Sequence, residues 1–323
     1  MRPFPIYRLN EAVTSAMSKI VTIDIGNGIA NGLNQQINFV DEHGGSISTI
    51  AEISNYTEPL NKESQKRVKI SATYAQILWM ICNIALRNHD TIAIESEIDR
   101  MSLEERKQYF KDLQQDSEIT KYQRELLDRK KSFELSSQML NFMEQLAQRN
   151  ITEEEMDYLY SFDMDSDLGV KVNSIYVYAM TFILLHEFSH HALNHDVEKE
   201  GTIQEEIAAD CNAFWSIYSD LNGADKTTAM IGILCSLVSL IFIDKSLSAD
   251  GVHPLPIERI FRYYDLVKED NPKYAGLLCH LFYAWAVYTH DEYMPKLEAP
   301  YNGTLEKIRE YMFKKEFQAN NPE

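Results

Sequence analysis

The chain has 323 residues and a formal charge of −18 at pH 7, because 49 acidic residues stand against 31 basic ones. This charge, without a basic stripe that could neutralise phosphates, argues against nucleic acid as a partner. A chain of this length buries about three quarters of the surface that its unfolded form exposes. It therefore needs no metal ion merely to fold, and it forms one large domain or two small ones.

The cysteines and the N-terminus bear on the cellular compartment. Cys82, Cys211, Cys235 and Cys279 lie far apart without a C-x-x-C pair, so they predict reduced core thiols and no disulfide framework. The start of the chain, Met1–Arg8, lacks the apolar core of a signal peptide. We therefore expect a cytoplasmic protein.

The predicted elements begin with short strands and continue mostly as helices. Ile20–Ile25 and Gln36–Val40 are short strand-like pieces separated by glycines. Ser71–Arg87 is long and mostly apolar, which is typical of a buried helix, and Thr91–Glu95 alternates like a strand. Residues 98–165 are rich in charge, and this segment is predicted to be a helical insertion. It could serve in substrate recognition or be a solvated structural element, and the sequence leaves both alternatives open.

One apolar run raises the question of a membrane. Ala229–Ile243 stops at Asp244 and Lys245, short of the roughly 20 residues that span a bilayer. It also contains Ser236 and Ser239. The run predicts a buried core helix, and we expect no membrane contact.

The most informative pattern is His186-Glu187-Phe188-Ser189-His190, an H-E-x-x-H motif at the end of an apolar helical run. On a helix its two histidines lie one turn apart on one face, with Cβ atoms roughly 5–6 Å apart, so both rings can reach one Zn²⁺ ion. Glu187 points about a quarter turn away, where it can act as a base on a water molecule beside the metal. The motif predicts the chemistry of a zinc peptidase, with His186 and His190 as ligands.

A second cluster contains Thr202, Glu205, Glu206 and Asp210. Thr202 and Glu205 form the pattern of a capping box, in which Glu205 folds back onto the backbone amide of Thr202. Glu206 remains available, and a catalytic zinc needs three protein ligands and one open position, so we expect Glu206 to be the third ligand. Asp210 lies one turn further on the same face and is expected to accept the outer N–H of a ligand histidine. A solvated acidic helix face is the alternative for Asp210.

Two further histidines, His191 and His195, share the spacing of the motif. The residue after His191 is Ala192, so no base accompanies this pair. We expect both to be cations near a helix C-terminus, where the helix dipole favours positive charge, and not to be ligands.

A third element is Val252–Ile260, in which two prolines hold the chain extended and Pro256 can occupy the first turn of a helix. From the residues alone, His253 is a loop residue and Arg259 a surface residue. The order of H-E-x-x-H, E-x-x-A-D and H-P-x-x-x-x-R-I resembles the gluzincin metallopeptidases, which include prenyl-protein-processing membrane peptidases, and most closely the cytoplasmic Lit-like phage-exclusion peptidases. The resemblance covers roughly residues 175–262. It implies that His253 donates to the oxyanion and that Arg259 supports the site.

The expected fold class is α+β and mostly helical, with a zincin-like metallopeptidase core, a small sheet and a helical insertion. The predicted order of helix, strand, H-E-x-x-H helix and glutamate helix is that of a zincin core. The chain is expected to be a single metallopeptidase unit with a strand-rich N-terminal part (1–70), a core (71–97 and 166–290), the helical insertion (98–165) and a C-terminal helical tail (291–323).

These patterns predict a zinc-dependent endopeptidase with one Zn²⁺ per chain, and with Glu187 and His253 as its catalytic residues. The resemblance implies that the substrate is a cytoplasmic protein, a translation elongation factor in the known case, cleaved in anti-phage defence. An activating partner is a further expectation. A repressor or a toxin partner fits the sequence equally. Two other classes stay open: a membrane-associated peptidase of the prenyl-protein-processing type, and a non-catalytic, zinc-stabilised binding or regulatory protein. The intact Glu187 argues against the second, because a structural zinc site has no use for a base.

Overall fold

The computed structural model describes residues 8–24, 37–40, 50–57, 64–115, 129–148, 164–195, 201–245, 247–249, 251–298 and 300–321. These residues are mostly helical and include three strands. The helices are α1 (Asn10–Asp24), α2 (Ala72–Arg100), α3 (Leu103–Gln115), α4 (Arg129–Gln148), α5 (Asp167–Ala192), α6 (Ile203–Tyr218), α7 (Gly223–Ile243), α8 (Pro256–Val267), α9 (Lys273–Tyr288) and α10 (Tyr301–Asn320). The strands are β1 (Ile37–Val40), β2 (Ala51–Thr57) and β3 (Ser64–Ser71).

The strands pair in the order β1-β3-β2, with β3 in the centre. β1 runs parallel to β3, and β2 runs antiparallel to it, with Ala51 opposite Ile70. β3 leads directly into α2. Its last residue, Ser71, caps this helix by accepting a hydrogen bond from the backbone N–H of Tyr74 at 3.2 Å. The strands are thereby tied to α2, and β2 lies at an edge of the described sheet.

Helix α5 lies at the centre of the helical part, where it packs against α1, α2, α6, α7 and β2. Ser166 begins the helix by accepting a hydrogen bond from the backbone N–H of Gly169 at 3.1 Å, and Asp167 adds negative charge to the first turn. Side chains such as Phe182 and Leu184 are fully buried, as expected of a helix with neighbours on several sides. This helix carries the H-E-x-x-H motif into the interior.

Helices α5 and α7 approach each other closely at a glycine. A Cβ atom on Gly232 would lie 2.7 Å from the carbonyl oxygen of Ile175 and 2.9 Å from the backbone nitrogen of Ala179, so this packing requires a residue without a side chain. Both helices are long and apolar enough to cross a membrane by length and composition, but 67 % of the most apolar stretch of each is buried inside the protein. Ala229–Ile243 is a core helix, as the sequence predicts.

The strand prediction for Thr91–Glu95 is wrong, because these residues continue α2. No glycine or proline interrupts the chain between residues 72 and 100. Thr91 satisfies its hydroxyl within the helix by donating to the backbone carbonyl of Arg87 at 2.8 Å. The strand that the predicted zincin order places between the first long helix and the H-E-x-x-H helix is therefore not found at this position.

The strand prediction for Ile20–Ile25 is also wrong, since α1 extends to Asp24. Val13 and Met17 are buried one turn apart, and Ile20 packs against the same core, so the apolar face follows a helical period. Ile25 lies outside the described residues. Of the strand predicted at Gln36–Val40, Ile37–Val40 is present as β1, and Gln36 lies outside the described residues.

Part of the predicted insertion, residues 98–165, belongs to the core. Helix α4 packs against α2 and α9 and buries Met139 and Met143. Ser136 donates a hydrogen bond to the side-chain oxygen of Asn88 on α2 at 3.0 Å. The described residues of this segment thus contribute to the packing of the helical core.

The C-terminal helix α10 packs against α8 and α9 and holds the segment that precedes α8. Glu316 accepts a hydrogen bond from the backbone N–H of Ile257 at 3.1 Å. Asn320 accepts one from the N–H of Ala249 at 2.5 Å and donates one to the carbonyl of Leu247 at 3.2 Å. These bonds satisfy backbone groups at the start of α8 and in the loop before it, so the segment predicted as a tail fixes a loop.

Candidate metal centre and active-site cleft

The last turns of α5 present the two histidines of the motif side by side. His186 is buried, His190 is partly buried, and their Nε2 atoms lie 3.3 Å apart. The rings meet edge to face with centroids 5.0 Å apart. One helical turn sets this separation, so the local structure alone brings the two ring nitrogens together.

Helix α6 supplies the carboxylate that the sequence predicts. The capping box is present, because Glu205 accepts from the backbone N–H of Thr202 at 2.8 Å and the Thr202 hydroxyl accepts from that of Glu205 at 3.3 Å. Glu205 is therefore engaged in starting the helix. Glu206 turns inward instead: its Oε2 lies 3.1 Å from Nε2 of His186 and its Oε1 lies 3.3 Å from Nε2 of His190.

Asp210 and Arg259 lie behind His186. One Asp210 oxygen lies 2.8 Å from Nδ1 of His186, and Arg259 donates to both Asp210 oxygens at 2.8 and 2.7 Å. Asp210 is fully buried; burial would raise its pKa, but Arg259 and His186 hold the pKa well below its ordinary value. Arg259 is buried as well. The solvated-face alternative for Asp210 and the surface position for Arg259 are therefore wrong.

The three convergent groups fit a cation. When His186 is neutral, its proton lies on Nδ1, because the Asp210 carboxylate facing that atom can only accept. Nε2 then directs a lone pair toward Glu206, whose Oε2 has no hydrogen-bond partner within the described residues. One ligand atom each from His186, His190 and Glu206 lies within 4.8 Å of the others. The lone pairs of these nitrogen and oxygen atoms repel each other when no proton lies between them, so a cation at this point is stabilising. This cluster could therefore bind a metal ion.

The protonation of these groups depends on their surroundings. Burial alone would lower the pKa of His186, but its contacts with Asp210 and Glu206 raise it to about 9. Burial and the neighbouring His186 lower the pKa of His190 to about 4. For Glu206, burial is outweighed by the close contact with His186 and by its charge, and the pKa of Glu206 lies below the ordinary value. A proton and a metal ion compete for the same electron pair of His186, so metal binding would release a proton.

A cavity of about 520 Å³ opens beside His186. Glu187 lines it, and burial raises the pKa of this carboxyl to about 7, a value at which a side chain can both accept and release a proton near neutral pH. His253 also lines the cavity; its side chain is 49 % exposed and its Nε2 lies 3.5 Å from Oε2 of Glu206. The rest of the wall is mostly apolar, with three polar or charged residues, Asp244, Ser248 and Arg259. Its apolar residues are Ile50, Ala51, Ile183, Leu240, Ile243, Ala249, Pro254, Leu255 and Pro256.

The structure brings all the predicted site residues to one place. His186, His190 and Glu206 converge as candidate ligands, and Asp210 and Arg259 lie behind His186. Four of the seven site residues line the cavity: His186, Glu187, His253 and Arg259.

Sequence reasoning missed two contributors to the site. The spacing of His195 predicts only a cation near a helix end, yet its Nδ1 lies 3.0 Å from Nδ1 of His190. The available signal is Asn194, a residue type that tolerates a left-handed backbone, here with φ of 56°, and so lets the chain fold back. Ala51, at the start of β2, lines the cavity through the packing of β2 on α5, which no local pattern in β2 reveals.

Comparison with known proteins identifies a family. The family model for Peptidase U49 matches residues 68–279, whereas no curated protein and no solved structure matches this chain. The matched region is well over half of the chain and contains the whole convergent cluster as well as His253 and Arg259. Its extent and content show that this chain belongs to the Peptidase U49 family.

Proposed function

We propose that this peptidase is a zinc-dependent endopeptidase that cleaves a cytoplasmic protein. The observation that carries the proposal is the convergence of His186, His190 and Glu206 beside a partly buried Glu187 that lines a cavity. Two imidazoles and one carboxylate are the donor set of a catalytic zinc, which keeps a fourth position open. The role of Glu187 as a base supports catalysis over a structural metal.

The chemistry follows from the placement of the side chains. A bound zinc ion would supply a Lewis acid that polarises the peptide carbonyl and makes a water molecule more acidic. Glu187 accepts the proton that the water loses as its oxygen bonds to the carbonyl carbon. When the carbon–nitrogen bond breaks, Glu187 returns this proton to the departing amine. His253 donates a hydrogen bond to the carbonyl oxygen as negative charge develops there.

Asp210 and Arg259 support this arrangement from behind His186. The Asp210 carboxylate accepts from Nδ1 of His186 and thereby holds its Nε2 lone pair toward Glu206. Arg259 keeps Asp210 ionised in a buried position. Asp210 and Arg259 thus set the orientation and the protonation of His186 without being ligands themselves.

The wall formed by β2 supports a peptide substrate in an extended conformation. Ile50 and Ala51 line the cavity with the catalytic residues, and β2 pairs only with β3 among the described strands. An extended segment can add its backbone hydrogen bonds to such an edge. This geometry favours cleavage within a chain over removal of a terminal residue, because neither end of the peptide has to enter the cavity.

We place the protein, on the order of its motifs, among the gluzincins with a zincin-like core and nearest the Lit-like peptidases. H-E-x-x-H, E-x-x-A-D and H-P-x-x-x-x-R-I occur in the same order here, and their residues meet at one site. On this proposal the target is a cytoplasmic protein such as a translation factor, cleaved in anti-phage defence after an activating partner binds.

Comparison of new N-termini across the host proteome tests the proposed activity. Cells expressing the parent chain are compared with cells expressing Glu187→Gln, which keeps the shape of the side chain but cannot accept a proton. Glu205→Gln is the matched control, since it removes a neighbouring carboxylate that only caps α6. We expect one or a few new N-termini with the parent and the control, and a fall of roughly 10²–10⁴-fold with Glu187→Gln. Equal cleavage by the parent and Glu187→Gln would refute the mechanism.

A further inference from the structure

The outer nitrogens of the two ligand histidines have different partners. Nδ1 of His186 faces the carboxylate of Asp210 at 2.8 Å, whereas Nδ1 of His190 faces Nδ1 of His195 at 3.0 Å, with ring centroids 5.1 Å apart. We propose that His195 is a positioning residue that fixes the ring and the tautomer of His190. This role rests on the proposed zinc site and adds to it a residue outside the ligand set.

The end of α5 builds the contact from local backbone structure. The N–H of His195 donates to the carbonyl of His190 at 2.9 Å, and the N–H of Asn194 donates to the carbonyl of His191 at 3.2 Å. With Asn194 in the left-handed region at φ of 56°, these two bonds form a Schellman motif. The motif brings the side chain after the left-handed residue back over the last turn, commonly as an apolar contact. Here both positions are histidines, so the contact joins two ring nitrogens.

The direction of the hydrogen bond follows from what His190 must offer a metal ion. Its Nε2 lies 3.3 Å from Oε1 of Glu206 and needs a free lone pair to act as a ligand, so the ring proton lies on Nδ1. This Nδ1–H donates to Nδ1 of His195, whose own proton then lies on Nε2. His195 therefore selects the tautomer of His190 that can bind zinc.

The two positioning contacts differ in strength. Asp210 is a carboxylate and makes a charge-assisted hydrogen bond, whereas His195 accepts as a neutral ring, and charge-assisted bonds are the stronger kind. Loss of an outer partner of this type costs about 10–100-fold in metal affinity. We expect His195 to lie at the lower end of that range and Asp210 at the upper end.

Substitution of His195 separates this role from a purely structural cap. His195→Phe retains a ring for the apolar contact that usually completes the motif but has no acceptor, and His195→Gln restores an acceptor oxygen. Zinc dissociation constants are measured by competition with a chromophoric chelator, and the thermal midpoint Tm is measured on chelator-treated protein. We expect His195→Phe to weaken zinc binding by about tenfold without lowering Tm, and His195→Gln to recover most of the loss. Zinc affinity of His195→Phe equal to that of the parent, or no recovery by His195→Gln, would overturn the proposal.

Substitution of Asn194 tests whether the cap acts through His195. Asn194→Val is strained at a positive φ, whereas Asn194→Gly adopts it freely. We expect Asn194→Val to weaken zinc binding and Asn194→Gly to leave it unchanged. In the His195→Phe background the valine substitution should add no further loss, and an additive loss would contradict the coupling.

Two outcomes separate this role from the proposed function. A parent chain that binds no zinc would remove both the zinc site and the role of His195. A parent that binds zinc, with His195→Phe binding it equally well, would remove the role of His195 alone.

Discussion

The buried ion pair between Arg259 and Asp210 gives the sharpest prediction for stability. Arg259→Met keeps much of the side-chain volume but removes both hydrogen bonds, at 2.8 and 2.7 Å, from a fully buried carboxylate. Among the described residues that form an ion pair with Asp210, only His186 would remain. Breaking a buried pair in this way costs about 3–5 kcal/mol, because the remaining charge stays out of water.

A second arginine–aspartate pair provides the matched control. Arg309 donates to both oxygens of Asp265 at 3.2 and 2.9 Å, but both side chains are about one third exposed. Arg309 also lies over the ring of Phe261, 4.8 Å from its centroid. Arg309→Met should therefore cost only about 1 kcal/mol, as for exposed ion pairs with a cation–π contact.

Urea unfolding at neutral pH, followed by far-ultraviolet circular dichroism, compares the two substitutions. We expect the free energy of unfolding to fall by at least about 2 kcal/mol more for Arg259→Met than for Arg309→Met. Adding Asp210→Asn to Arg259→Met removes the unpaired charge and should restore part of the loss. Equal losses at the two arginines would refute the assignment of Arg259 as the buried partner of Asp210.

Three further substitutions test the packing around the site. Gly232→Ala should lower the free energy of unfolding by about 1–3 kcal/mol, since the new methyl group meets backbone atoms of α5 at 2.7 and 2.9 Å; unchanged urea stability would contradict the close approach. Burial outweighs the hydrogen bond from Ile257 and raises the pKa of Glu316 from 4.5 to about 7, so the folded protein holds this proton more tightly and its stability falls as pH rises between those values. Glu316→Gln should therefore be more stable than the parent above about pH 7 and equal to it near about pH 4, and a gain that is the same at both pH values would exclude this carboxyl as the cause. Asn320→Ala should speed proteolytic cleavage of the loop before α8 in a limited-proteolysis time course, because the backbone groups of Ala249 and Leu247 lose their partners; cleavage at the parental rate would show that α10 does not hold this loop.

The candidate site was predictable where its geometry is local. Two histidines one turn apart must lie side by side on a helix, and the capping box assigns Glu205 to the backbone and leaves Glu206 available. The position of Asp210 follows from the same helical period. These features need only the sequence and the geometry of a helix.

The remaining contacts of the site depend on tertiary structure. Arg259 lies 49 residues from Asp210 in the chain, so the residues alone predict a surface position for it, and only the packing of α8 brings it inside. His195 reaches His190 because the chain reverses at Asn194, which a search for helical spacing overlooks.

The errors in the fold have a similar origin. Thr91–Glu95 shows strand-like alternation, but it belongs to an uninterrupted helix in which Thr91 is buried and Ile94 packs against the core. A local β preference is easily overridden by such packing. Ile20–Ile25 resembles a strand only when its sequence is read without Val13 and Met17, the buried residues that precede it in the same helix. In both places a few residues considered alone favour a strand, but the apolar period of the longer segment determines that a helix forms.

Zinc content tests the central claim most directly, with two adjacent glutamates as a matched pair. Elemental analysis is applied to purified parent, Glu206→Ala and Glu205→Ala proteins after identical exposure to zinc and desalting. We expect about one zinc per chain in the parent and in Glu205→Ala, and loss of most of the zinc in Glu206→Ala. Zinc-free parent protein, or full zinc retention in Glu206→Ala, would contradict the site assigned here.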